Sequence, residues 1–175
     1  MLISEIEKKI NYKFNNKQLL KEALTHSSFI CKKNNPEKHN YERLEFLGER
    51  VLGLVLADYF YKTFPHANEG ALNDYFQKNA NQEFLAKYAK HINLSKYIMT
   101  QKGDNLISNN SVLSDVVEAM IAAIYLDSGI EKSKSFIVNE IINNIIEKEK
   151  KAKEQKMLME QSMYENNRYG SREQF

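Results

Sequence analysis

The sequence predicts an all-α domain, on three observations. Its 175 residues include only two prolines and six glycines. Apolar residues recur at helical spacing through most of the chain, and no segment keeps the alternation, bounded by hairpin turns, that marks a strand. A chain of this length fits one domain and can bury a core large enough to fold without staples. That domain is expected over residues 1–150, with a polar, flexible tail over residues 151–175.

Each expected helix has a local reason. Ser4 and Glu7 stand at capping-box spacing ahead of a short first helix, and Asn15 or Asn16 can cap a second over NKQLLKEALTH. The polar stretch CKKNNPEKHN, broken by Pro36, follows as a loop. A long helix is expected from Tyr41 to Tyr61, and TFPHANEG ends it. The next helix is expected from Ala71 to His91, with a break at Gly103. A further helix runs from Ser111 to Leu126, Asp127 to Gly129 turn the chain, and a last long helix begins near Ile130. After Glu147 the composition turns to mixed charge without an apolar face, as in a frayed helix passing into a tail.

Composition narrows the function classes. Cys31 is the only cysteine, so there is no disulfide framework and no cysteine-rich zinc site, which suits a reducing, cytoplasmic setting. MLISEIEKKI carries charges where a signal peptide would be apolar, and no apolar run approaches the ~20 residues that span a bilayer. No membrane association is expected. The formal net charge is +2, so binding nucleic acid would need local patches or bridging cations.

The chemistry lies in two acidic helix faces. In YERLEFLGERVLGLVLA, Glu42, Glu45 and Glu49 fall within a narrow arc, with Leu44, Leu47, Val51, Leu54 and Val55 expected on the opposite, buried side. Gly48 and Gly53 sit inside this helix at a cost of about 1 kcal/mol each relative to alanine, which asks for a packing reason. In SDVVEAMIAAIYLD, Asp115 and Glu118 share a face with the small Ala119 and Ala122, while Val116, Val117, Met120, Ile121 and Ile124 make the buried stripe. If the two helices cross closely, Glu45, Glu49, Asp115 and Glu118 converge. Four carboxylates cannot share a site as anions without a cation, and oxygen-only ligation suits Mg²⁺ or Mn²⁺.

Blander readings stand beside this one. Any Glu-x-x-Glu is more often a solvated face than a metal site. A di-iron bundle would use Glu-x-x-His, and none of His26, His39, His66 or His91 follows a glutamate by three. His26 in THSS is read as a helix-end structural histidine rather than the base of a serine hydrolase. Tyr75, Phe76, Phe84 and Tyr88, at helical spacing, are read as core or interface.

Four blocks, in order, resemble the ribonuclease III family. ERLEFLG from Glu42 to Gly48 is similar to its signature, ALTHSS from Ala23 to an upstream motif, FPHANEG to its FP-x-x-x-EG segment, and SVLSDVVEAMIAAIYLDSG, Ser111 to Gly129, to its second acidic helix. The resemblance covers residues 5–147. It implies a homodimeric helical endonuclease domain that hydrolyses double-stranded RNA to 5′-phosphate and 3′-hydroxyl ends, with Mg²⁺ (Mn²⁺ as substitute) and no organic cofactor. It implies Glu45, Glu49, Asp115 and Glu118 as metal ligands, Glu42 and Glu69 as further acidic positions of the cleavage site, and Phe46 as an aromatic knob entering the partner subunit.

The chain departs from that pattern in places. Glu49 stands where most members carry aspartate, Tyr41 where asparagine is usual, and residues 73–79 follow the family's helix after EG only loosely. Bacterial members usually continue into a double-stranded-RNA-binding domain, whose length and pattern the residues after Glu147 do not show. The chain is therefore read as a fragment or as a protein working without that module. An endonuclease is expected; the alternative is a ribonuclease-III-like domain that binds RNA or protein without cutting, because of Glu49.

Overall fold

The computed structural model describes residues 2–31, 39–101, 109–145 and Gln155. The breaks at Pro36 and Gly103, and the expected tail over residues 151–175 apart from Gln155, lie outside the described residues. The elements are α1 (Leu2–Lys9), α2 (Lys17–Ala23), α3 (Ser27–Cys31), α4 (Glu42–Thr63), α5 (Glu69–Ala80), α6 (Gln82–His91), a 3-10 turn at Leu94–Lys96, α7 (Asn110–Ser135) and a π-helical continuation, Phe136–Ile142. Among the described residues strand-like pairing is limited to an isolated bridge between Thr25 and Met99. No described helix is long and apolar enough to cross a membrane.

Side-chain caps set most of the boundaries. Asn16, Asn68 and Asn109 accept backbone N–H groups of Gln18, Ala71 and Ser111 at the starts of α2, α5 and α7. The expected single helix from Ala71 to His91 is in fact two. Asn81 takes an extended conformation, its Oδ1 accepts the Phe84 N–H at 2.9 Å, and its Nδ2 donates to the Gln77 and Lys78 carbonyls. One asparagine thus closes α5 and opens α6. The expected capping box also fails: α1 starts at Leu2, so Ser4 lies inside it, and Glu7 instead accepts the Phe14 N–H at 2.9 Å.

α4 and α7 form the centre. α7 is buried nearly all round from Val112 to Ile124, with Ala119 and Ala122 fully buried beside Val116, Met120 and Ile121. A helix this apolar on every side must be covered on every side, and α2, α4 and α6 pack against it. α4 buries Leu44, Gly48, Val51, Leu52, Val55, Leu56 and Phe60. Leu54 was expected in that stripe, but it is 63% exposed and falls with Phe46 and Tyr61 on the outer face. The buried face rotates along α4, taking in Leu52, Leu56 and Phe60 and leaving Leu54 outside.

The two central glycines differ. A Cβ on Gly48 would lie 1.8 Å from the Glu118 carbonyl oxygen and 2.5 Å from its carbon, so α4 and α7 touch backbone to backbone there. A Cβ on Gly53 would meet only the Phe76 ring edge at 3.7 Å, an ordinary contact. The packing reason expected for both holds for Gly48 alone.

Candidate metal centre

The backbone contact at Gly48 decides where the carboxylates go. Glu45 lies one turn before Gly48 on α4, and Glu118 is the residue whose backbone Gly48 touches on α7. Glu45, Asp115 and Glu118 each bring a carboxylate oxygen within 4.8 Å of the others, all three half-buried. These are three of the four carboxylates expected to converge.

Crowding shows in their proton affinities. Burial, followed by Asp115, Glu49 and Glu45, pushes the Glu118 carboxyl up to about 8, opposed by Arg50. Glu45 is raised by burial and then by Asp115, Glu42 and Glu49. Asp115 is raised by burial, against which the Ser114 hydroxyl and His26 work. Buried Tyr41, at the start of α4, is also pushed up, by burial and then by Asp115, Glu45 and Glu42. Several anions therefore share a partly desolvated space, and an all-oxygen donor set of this kind fits a hard divalent cation.

The remaining expected residues are placed differently. Glu49 is not in the trio; its Oε2 pairs with Arg50 Nη1, although its charge reaches Glu45 and Glu118. Glu42 is exposed in the first turn of α4, and its backbone N–H donates to Asn40 Oδ1 at 3.1 Å. Glu69 is exposed in the first turn of α5 and is not part of the trio. Phe46 is 64% exposed, with the Arg50 guanidinium 3.9 Å above its ring.

The THSS motif lies beside the cluster as support. His26 Nδ1 accepts the Ser28 N–H at 3.1 Å, its backbone N–H donates to the Met99 carbonyl, and its ring packs edge-on against Tyr41 at 5.6 Å. The Tyr41 N–H donates to the Thr25 carbonyl at 2.9 Å. This agrees with the structural reading of His26. Its proximity to Asp115, and the role of Arg50, were not foreseen; no periodicity connects residues so far apart in sequence, though Arg50 follows Glu49 directly. Phe84 and Tyr88 are buried as expected, whereas Tyr75 sits at the surface and stacks on Phe64 at 4.3 Å.

The carboxylates do not line the cavity beside α1. That space, of about 470 Å³, is bounded by Ser4, Glu7, Lys8, Asn11, Tyr12 and Lys13 around α1.

Comparison with known proteins points the same way. A family model described as Ribonuclease-III-like matches residues 16–145. The chain is 40% identical over 151 residues to Ribonuclease 3 of Caldanaerobacter subterraneus subsp. tengcongensis, covering 83% of this chain and 66% of that protein. It is 44% identical over 136 residues to Ribonuclease 3 of Nitratiruptor sp., covering 74% and 56%. The chain thus spans between about half and two thirds of these relatives' lengths. A solved nuclease domain of ribonuclease III from Campylobacter jejuni, described for flexibility in a region involved in dimer formation, superposes with a TM-score of 0.73 at 36% identity, covering 81% of this chain and 97% of that one.

Proposed function

The chain belongs to the ribonuclease III family, and from that premise we propose that it is a divalent-metal-dependent endoribonuclease that hydrolyses double-stranded RNA to 5′-phosphate and 3′-hydroxyl ends, a role in cytoplasmic RNA processing. The observation that carries this reading is the Glu45–Asp115–Glu118 cluster, three carboxylates within 4.8 Å of one another beside the backbone contact of the two central helices. Glu45, Asp115 and Glu118 hold the ion, Mg²⁺ or in its place Mn²⁺, with Glu49 as a further ligand and Glu42 and Glu69 as outlying acidic positions. When bound, such an ion activates water and stabilises charge on the attacked phosphate and the leaving oxygen.

The protein's own groups prepare that site. Gly48 fixes the spacing of the two acidic faces, Ser114 Oγ steadies Asp115 at 3.3 Å, and Glu118 holds a proton at neutral pH until a cation takes its place. A homodimer through the outer face of α4 belongs to the same reading, supported by the exposed Phe46, Leu54 and Tyr61. Phe46→Ala should then shift sedimentation toward monomer. The activity itself is tested by incubating a long duplex RNA with the protein and Mg²⁺. Short products bearing 5′-phosphates are expected, and an intact duplex in both Mg²⁺ and Mn²⁺ would refute the reading.

A further inference from the structure

We propose that Arg50 is a latch that holds the Glu49 carboxylate outside the Glu45–Asp115–Glu118 cluster, and that release of this latch is what lets Glu49 join the cation. This rests on the reading of the cluster as a divalent-cation site. At 100° per residue, Glu49 lies 40° from Glu45 on α4, on the side towards Phe46 and Arg50. It stands on the border between the acidic face and the outer face and can be drawn to either. One contact draws it outward, and two more anchor the arginine that makes it. Arg50 Nη1 pairs with Glu49 Oε2, the same Nη1 donates to the Phe46 carbonyl at 2.9 Å, and the guanidinium lies 3.9 Å over the Phe46 ring.

The alternative position is within reach. The charges of both Glu49 and Arg50 act on Glu118, so the pair sits at the edge of the cluster rather than remote from it. Both side chains are more than half exposed, and an exposed ion pair is weak, so a divalent ion competing for the carboxylate can open it. The same guanidinium covers the Phe46 ring. Any surface that packs over the ring, a second copy of this chain in the reading above, must displace Arg50, and recruitment of Glu49 is thereby coupled to burial of Phe46.

A double-mutant cycle on Mn²⁺ affinity tests this, read by electron paramagnetic resonance of free Mn²⁺ at fixed ionic strength on the parent chain, Arg50→Ala, Glu49→Gln and the double variant. Arg50→Ala should tighten binding by roughly fivefold, and by less than about twofold when Glu49 is already Gln, because the gain depends on the freed carboxylate. Equal tightening in both backgrounds would mean that only a nearby positive charge had been removed, and would overturn the latch. Glu118→Gln separates the two levels. If it binds Mn²⁺ as the parent does, the cation reading fails and the latch with it; if it weakens binding while Arg50→Ala changes nothing, the latch alone fails.

Discussion

α7 carries acidic side chains in two regions, and the two are treated in opposite ways. Just before the kink in α7 at Gly129, whose φ of 81° breaks the helix, Asp127 Oδ2 accepts the Tyr12 hydroxyl at 2.7 Å and the Asn15 N–H at 2.9 Å, while Oδ1 accepts the Asn16 N–H at 2.8 Å. Burial works against this carboxylate, but those donors outweigh it and hold its carboxyl below the usual range. Among the described residues no such donors steady Glu118, which burial, Asp115, Glu49 and Glu45 all push towards its protonated form, with Arg50 pulling the other way. A carboxylate surrounded by donors is complete as it stands and serves the fold. Carboxylates surrounded by one another instead raise each other's proton affinity, the pattern expected where charge is held for function rather than for the fold.

The largest expected effect comes from neutralising the crowded end. Glu118→Gln should lower cleavage of duplex RNA in Mg²⁺ by on the order of a thousandfold. Its thermal midpoint should stay level or rise, since the amide replaces a group that resists ionisation where it sits. Loss of stability in parallel with activity would place Glu118 on the same footing as Asp127 and dissolve the contrast.

Next in size is the contact that brings the acidic faces together. Gly48→Ala sets a methyl group 1.8 Å from a backbone carbonyl that cannot swing aside, so α4 and α7 must separate. A stability loss of about 3 kcal/mol in urea unfolding is expected, with weaker Mn²⁺ binding in whatever remains folded. An unchanged midpoint would show that the helices have room. Asp127→Ala should cost about 1 kcal/mol by removing the acceptor its donors share, yet leave the cleavage rate intact below the lowered midpoint. Lost cleavage in a protein of normal stability would reverse the comparison.

A smaller effect is the pH dependence of the metal-free protein. Glu118 has a raised folded-state value, so its proton is held more tightly folded than unfolded, and stability falls as pH rises from the ordinary value of 4.5 through about 8. Glu45 and Asp115, both raised, act in the same sense. Mg²⁺ should flatten this decline. Denaturant midpoints across that range with chelator and with Mg²⁺ read it directly, and parallel curves would argue against ion binding at the cluster.

Much of this was legible in the sequence because it rests on local rules. The 3.6-residue period located α4 and α7, Asn15 or Asn16 marked the start of α2, and Gly48 and Gly53 inside an acidic helix asked for a packing reason that holds at Gly48. What stayed hidden depended on competition between neighbours. Asn81 is polar within a polar stretch, and only the fold reveals that its side chain ends one helix while starting another. Leu54 has the hydrophobicity of a core residue, but the core moves round α4 and leaves it exposed. Glu49 shares a helix face with Glu45, and spacing alone cannot tell that Arg50, one residue on, holds its carboxylate elsewhere.

The claim that the crowded carboxylates form a cation site predicts an exchange of charge, and calorimetry can count it. With its carboxyl at about 8, Glu118 is mostly protonated at pH 7 in the metal-free protein. Titrating Mn²⁺ at pH 7 into the protein in two buffers of different ionisation enthalpy should show release of about one proton for each ion bound, and Glu118→Gln should abolish that release. Binding with no proton release, or a release that survives Glu118→Gln, would contradict the account.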